Sequence, residues 1–146
     1  MDKCTQTACL YIATLKSIYI INQQNHWLSK GTEFYSSHLL FQRLYEDVQE
    51  NIDTAAEKFI GLFGPEVVNY DNINKLTFKV LNKYSSLTSF EQSLKIEEDF
   101  IKYSKYAYDC FKNEDKLSLG LDDMLMSISS DREEAVYLLK QTLASN

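Results

Sequence analysis

Residues 25–62 read NHWLSKGTEFYSSHLLFQRLYEDVQENIDTAAEKFIGL, and the candidate site lies within this stretch. It contains both histidines of the chain, His26 and His38, and a carboxylate pair, Asp53 and Glu57. Asp53 and Glu57 are about one helical turn apart, so both side chains point to one side of a helix. Two carboxylates with this spacing can share a cation or act as an acid and a base.

The second half of this stretch predicts one long helix from Glu33 to Leu62, because nothing breaks a helix before Gly61. Its apolar positions alternate steps of four and three residues, as on the buried face of a helix. They are Phe34, Phe41, Tyr45, Val48, Ile52, Ala55 and Phe59, with His38 in the remaining slot. About 30 residues at about 1.5 Å each span roughly 45 Å.

The length of this helix separates the histidines from the carboxylates. Between His38 and Asp53 the axial distance is roughly 22 Å, so one chain cannot bring both to one metal ion along the helix. Two copies can do so if they pair antiparallel about a two-fold axis near Tyr45 and Glu46. Such an interface is isologous and would contain two equivalent sites.

The spacing of these residues resembles that of a known family, the Dps mini-ferritins, which are a branch of the ferritin-like superfamily. The four ligand-type residues match the family's ferroxidase signature without a gap. The last helix matches more weakly, with Tyr137 in a frame where the family usually carries Trp. The matching positions are His26-Trp27, Gly31, Phe34, His38, Asp53, Ala56-Glu57 and Asp123-Met124-Leu125.

The resemblance implies a hollow homododecamer that oxidises Fe(II) with hydrogen peroxide or O2 and stores Fe(III) as a mineral. This activity would protect against oxidative damage. It also implies an intersubunit site in which His26 and His38 come from one chain, and Asp53 and Glu57 from the other. Imidazole and carboxylate donors suit iron better than they suit a metal that prefers thiolates.

The resemblance further implies that acidic residues at the start of the last helix line pores through which iron enters. Asp123 matches that frame best, and Asp122 is adjacent. The alternative interpretation is electrostatic, because acidic side chains in the first turn of a helix stabilise its dipole.

One position departs from the family pattern. Four residues after His38 the family usually places Asp or Glu, whereas this chain has Gln42. A neutral amide oxygen is a poorer ligand for Fe(III), so a weakened second iron position is predicted. Glu46 could substitute, or Gln42 only forms a hydrogen bond and water completes that position. Trp27 is either a packing residue or, as supposed for the family, an aromatic ring that intercepts oxidising equivalents.

The whole chain predicts an all-α fold: a ferritin-like four-helix bundle with a long crossover that carries a short extra helix. Long helices are expected at 6–28, 33–62, 89–111 and 122–143, and the short helix at 72–81. Residues 1–5 are expected to be loose. Thr32 and Ser89 are candidate caps. Residues 1–146 are expected to form a single domain.

Composition supports a helical protein, because the 146 residues include one Pro and four Gly. The formal net charge of −6 disfavours attraction to nucleic acid or anionic membrane. Neither terminal segment, MDKCTQTAC or TLASN, is rich in Lys or Arg, so direct DNA binding is expected to be weak. Three cysteines without a C-x-x-C motif favour reduced thiols and a cytoplasmic location. No membrane span or targeting segment is expected.

Other functional classes fit the residues less well. A di-iron oxygenase bundle needs Glu-x-x-His pairs on its helices, and neither histidine has Glu three places before it. A helical adaptor would not explain the spacing of four ligand-type residues. The alternative that stays open is a non-enzymatic DNA-compacting or structural oligomer with a degenerate metal site. The preferred oxidant also stays open.

Overall fold

The computed structural model describes residues 1–144, which form five α-helices and no strand. The helices are α1 (Lys3–Leu28), α2 (Phe34–Phe63), α3 (Tyr70–Asn82), α4 (Ser89–Asn113) and α5 (Leu119–Leu143), with a 3₁₀ turn at Pro65–Val68. Helix α1 packs against α2, α3 and α4, and α5 packs against α4 and α2. The predicted four-helix bundle with a short helix in its crossover is confirmed.

Several predicted helix ends were wrong because other residues cap the helices. Helix α1 begins at Lys3 rather than near Gln6, since the Thr5 amide donates to Asp2 Oδ1 at 2.8 Å. Residues 3–5 are therefore helical rather than loose. Thr32 does not cap α2, whose N-cap is Glu33 and has no side-chain capping bond.

Similar corrections apply to the later helices. Thr88, rather than Ser89, caps α4 and forms a capping box with Glu91. Helix α5 begins at Leu119 rather than Asp122, because Ser118 caps it earlier. Helix α2 continues through Gly61 to Phe63, and its C-cap is Gly64. Gly64 has φ of +94°, a backbone conformation that glycine adopts more readily than other residues.

Helix α1 lies at the centre of the core. Tyr11, Leu15 and Ile18 of this helix are fully buried. The Tyr11 ring meets Phe59 of α2 and Phe100 of α4 edge-on, with centroids 5.4 Å and 5.1 Å apart. Burying side chains of this size contributes roughly 1.5–3 kcal/mol each. This packing fixes α1 between α2 and α4.

The three cysteines are buried free thiols. Cys4 and Cys9 lie in α1, and Cys110 lies near the end of α4, where its Sγ is 3.4 Å from Thr7 Oγ1. Burial raises the pKa of Cys4 and the pKa of Cys9. Both groups therefore carry less thiolate than an exposed cysteine at the same pH.

A buried ion pair joins α4 to α5. Arg132 Nη1 donates to Glu97 Oε1 at 3.1 Å, and both side chains are almost completely buried. Burial raises the pKa of Glu97 to about 7, although the Arg132 charge beside it acts in the opposite direction. Glu97 Oε2 and Arg132 Nε have no hydrogen-bond partner among the described residues. A pair so poorly satisfied contributes little net stability but is costly to break.

We expect the pair to respond very differently to single and double replacement. Glu97→Leu leaves the Arg132 charge buried without its partner and should lower the free energy of unfolding by about 3–5 kcal/mol. Glu97→Leu combined with Arg132→Leu should recover most of that loss. Urea denaturation of the three proteins measures both effects. If the double variant is as unstable as the single one, the pair is a net source of stability.

Candidate metal centre

The two histidines lie where the end of α1 meets the beginning of α2. His26 Nδ1 is 2.7 Å from the His38 carbonyl oxygen, and His38 Nδ1 is 2.8 Å from the His26 carbonyl oxygen. The rings stack, with centroids 3.7 Å apart and planes inclined by 17°. The two imidazoles are thus held by a reciprocal pair of bonds between the helices.

These bonds select the tautomer of each ring. A carbonyl oxygen only accepts hydrogen bonds, so each Nδ1 must carry the proton and donate it. In the neutral imidazole the Nε2 lone pair is then free to coordinate a metal. A hydrogen bond from the other ring nitrogen is the usual second interaction of a metal-binding histidine. The histidine pair therefore fits an iron ligand role.

Neighbouring side chains orient the pair further. Phe34 stacks on His38 at 4.9 Å, and Tyr45 meets the His26 ring edge-on at 5.4 Å. His26 is 8% exposed, whereas His38 is half-buried. The residue before His26 fixes the end of α1 to α4, because Asn25 Nδ2 donates to the Ser89 carbonyl at 2.8 Å. The same amide donates to a buried serine hydroxyl of α4.

Asp53 and Glu57 lie on an exposed face of α2, away from the histidines. Neither takes part in a salt bridge within residues 1–144. In the same part of the chain no group of three or more His, Cys, Asp or Glu side chains is placed to hold a metal ion. One chain thus brings the predicted ligands together as two separate pairs, and not as one site of four.

Gln42 and Glu46 contact each other. Gln42 Nε2 donates to Glu46 Oε1 at 2.9 Å, across one turn of α2. The amide oxygen of Gln42 is not used in this bond. The contact ties Glu46, the predicted substitute ligand, to the residue it would replace.

The two pore candidates differ in their surroundings. Asp122 is in the first turn of α5 and accepts a hydrogen bond from the Tyr108 hydroxyl at 3.3 Å. Its Oδ1 is buried, so this oxygen is not accessible to solvent. Asp123 is exposed. Of the two pore candidates, Asp123 is therefore the carboxylate that is more accessible to a cation in solution.

Sequence reasoning missed two features of this region, the Tyr45 contact and the Asn25 anchor. Tyr45 follows His38 by two helical turns, which is a signal that it lies on the same face. Asn25 gave no such signal, because its partners lie 64 and 68 residues away on α4.

Comparison with known proteins places the fold among solved structures. The chain superposes on DpsC from Streptomyces coelicolor with a TM-score of 0.84, covering 98% of this chain and 84% of that one at 21% identity. For Dps from Thermosynechococcus elongatus the TM-score is 0.82, with coverage of 99% and 92% at 20% identity. The helical bundle described above is therefore the fold of these solved structures.

The chain has the fold of Dps proteins, and the resemblance seen in its sequence is confirmed at the level of the fold. No family model matches the chain. A nutrient stress-induced DNA-binding protein from a Nostoc species is 29% identical over 100 residues, which cover 66% of this chain and 54% of that protein. General stress protein 20U from Bacillus subtilis is 23% identical over 133 residues, 90% and 91% of the two chains.

The match to the Nostoc protein, and that to a Synechococcus protein of the same name, spans about half of each relative's length, 54% and 51%. For the described part of the chain, no helix has the length and apolarity needed to cross a membrane.

If an iron site is assembled as predicted, Gln42 should weaken its second position. Anaerobic Fe(II) titration should show about one tight site per subunit, because a neutral amide binds iron less well than a carboxylate. Gln42→Glu should strengthen the second site. Two equally tight irons in the unmodified protein would contradict this expectation.

The matched control for this titration is Gln6→Glu, which adds the same charge at an exposed position at the start of α1, about 30 Å along that helix from His26. It should leave the number of tight sites unchanged.

Proposed function

We propose that this chain is a ferroxidase of an iron-storing cage, with Fe(II) as its substrate. The observation that carries the proposal is the reciprocal bonding of His26 and His38, which leaves both Nε2 atoms free. A pair of histidines that served only to join two helices would not require a second pair of ligand-type residues on α2. Asp53 and Glu57 supply that pair.

The donor set favours oxidation of iron. Carboxylate oxygens are anionic and stabilise Fe(III) more strongly than Fe(II), while neutral imidazole binds both states. Asp53 and Glu57 are exposed and adjacent on one face of α2, so they can approach a second chain without rearrangement. Hydrogen peroxide or O2 would accept the electrons, and Fe(III) would be stored as a mineral.

The proposal requires a second chain, and a homododecamer is the assembly that we propose. The antiparallel pairing of two α2 helices about a two-fold axis would bring each histidine pair to the partner's carboxylates. Large apolar side chains around the histidines support an interface at this end of the molecule. The exposed fractions are 67% for Trp27, 58% for Leu28 and 43% for Leu39.

Two inactive variants provide the decisive test of the intersubunit ferroxidase. Subunits with Asp53→Ala and Glu57→Ala lack the carboxylates, and subunits with His26→Ala and His38→Ala lack the imidazoles. Each alone should lose fast Fe(II) oxidation by peroxide. When the two are co-expressed, about half of the two-fold interfaces are mixed, and each mixed interface contains one intact site of its two. About one quarter of the wild-type activity should therefore return.

The matched control is Asp71→Ala with Glu133→Ala, which removes the same charge from exposed positions of α3 and α5, outside the helix that carries the site. It should oxidise Fe(II) at close to the wild-type rate. Equal rates in the wild type and the carboxylate variant would refute the ferroxidase. Two results would refute the intersubunit site. One is no recovery of activity when the two variants are co-expressed and assemble together, and the other is a monomer in light scattering of the wild type.

The second candidate function, DNA compaction, is favoured only by the name of the Nostoc and Synechococcus relatives, which are called DNA-binding proteins. The electrostatics of this chain oppose it. Twelve chains with a net charge of −6 would carry a formal charge of −72 (12 × −6), which repels phosphate. The amino-terminal segment MDKCTQTAC has one Lys, and of the carboxy-terminal TLASN the last two residues, 145–146, lie outside the described residues.

We expect weak direct DNA binding. At moderate salt without free metal, a gel-shift assay should show unretarded DNA, because the net negative charge of this chain repels the phosphate backbone. DNA retained under these conditions, and released as salt is raised, would contradict the expectation. DNA protection through iron removal would be unaffected by either result.

A further inference from the structure

Two of the three cysteines lie at the junction where α1 begins and α4 ends. Cys110, in the last turn of α4, has its Sγ 3.4 Å from the Thr7 Oγ1 of α1. Thr7 has a single hydroxyl proton, which it donates to the Lys3 carbonyl oxygen at 2.8 Å. The Cys110 thiol therefore donates to Thr7, and this hydrogen bond holds its sulfur against the first turns of α1.

Cys4 belongs to the same part of α1. It precedes Thr7 by three residues, about 4.5 Å along the axis, so the two side chains lie on one side of the helix. Cys4 is 6% exposed and Cys110 5%. Burial raises the pKa of Cys4, and the negative charge of a Cys110 thiolate raises it further, an effect that acts between neighbouring groups. The two thiols are thus neighbours across the junction of α1 and α4.

The third cysteine lies on another side of α1. Cys9 follows Cys4 by five residues, a rotation of about 140° around the helix axis. Its thiol donates to the Val67 carbonyl oxygen of the 3₁₀ turn, with the sulfur 3.6 Å from that oxygen. Cys9 is therefore a control for the other two cysteines within the same chain.

We propose that Cys4 and Cys110 form an oxidation site, in which hydrogen peroxide converts the two thiols to a disulfide that fixes α1 to α4. In the first step one thiol reacts with peroxide. The O–O bond breaks, an S–O bond forms, and the products are a sulfenic acid and water. In the second step the other thiol attacks that sulfur. The S–O bond breaks, the S–S bond forms, and the hydroxyl leaves with the thiol proton as a second water. The two sulfurs lose two electrons, which reduce one peroxide to two waters.

Burial sets the order of these events. Peroxide reaches a thiol when the first turns of α1 separate from α4, and helix ends open more readily than helix centres. When the junction closes again, the packing brings the sulfenic acid against the second thiol, so that condensation competes with further oxidation. This inference does not depend on the proposed ferroxidase, and metal-free protein is sufficient to test it.

Thiol counting tests the oxidation site. The assembled wild type is treated with hydrogen peroxide in the presence of a metal chelator, quenched with catalase, unfolded and alkylated. Its free thiols should fall from three to one, and dithiothreitol should restore all three. Cys4→Ser and Cys110→Ser should form no disulfide. Cys9→Ser is the matched control and should still form it, with trypsin releasing residues 4–16 joined to residues 106–112.

Amide hydrogen exchange tests whether the disulfide fixes the junction. In the oxidised wild type the first turns of α1 should exchange about tenfold more slowly than in the reduced protein, because a cross-link restricts the opened state. Peroxide treatment of Cys4→Ser should leave the exchange of these turns unchanged.

Three results would overturn the oxidation site: wild type that keeps three free thiols, a disulfide that includes Cys9 or joins two subunits, and thiols that dithiothreitol does not restore. Unchanged exchange in protein that carries the disulfide would overturn its role in fixing α1. Circular dichroism shows whether each reduced variant folds as the wild type does. If a buried serine hydroxyl prevents folding, Cys4→Ala and Cys110→Ala replace the serine variants.

Discussion

The contact between the end of α1 and the beginning of α2 depends on two imidazole-to-carbonyl hydrogen bonds. Near the end of a helix, carbonyl groups have no partner within the helix and must find one elsewhere. The His26 carbonyl lies in the last turn of α1 and is satisfied by His38 Nδ1. Together the two bonds join the ends of the helices, satisfy a carbonyl at the end of α1 and set the tautomer of both rings. Removing either ring disturbs structure and chemistry together.

The sequence predicted the fold well because the fold is periodic. Apolar spacing located the four long helices, and Phe41, Val48, Ala55 and Phe59 of the predicted α2 stripe are buried. The short helix of the crossover was expected from the family resemblance. The helix ends were less predictable, since Asp2, Thr88 and Ser118 are caps whose role depends on one backbone amide each. The Glu97–Arg132 pair was not predicted. Charged residues in a helix are usually exposed, and nothing in the order of residues shows that these two face each other in the core.

The candidate site was predictable in its parts and not in its assembly. Spacing identified His26, His38, Asp53 and Glu57, and the structure brings the histidines together as a pair. The length of α2 keeps the carboxylates apart from them, and that separation also follows from the sequence. What no single chain can provide is the relative position of a second one. A function that needs two chains to complete each site would exist only in the assembled protein, so free subunits would have no oxidising centre of this kind.

The buried cysteines have a consequence for how the fold opens. The thiols of Cys4, Cys9 and Cys110 are buried, and burial also raises the pKa of Cys4 and of Cys9. A thiol-specific reagent therefore reacts slowly with the folded protein, because the thiols are inaccessible and carry little thiolate. Modification must wait until the first turns of α1 separate from α4 and from the 3₁₀ turn. Its rate is then the opening equilibrium multiplied by the reactivity of a free thiol. The rate at which the three thiols are modified therefore reports how often the protein unfolds locally at the end where α1 begins.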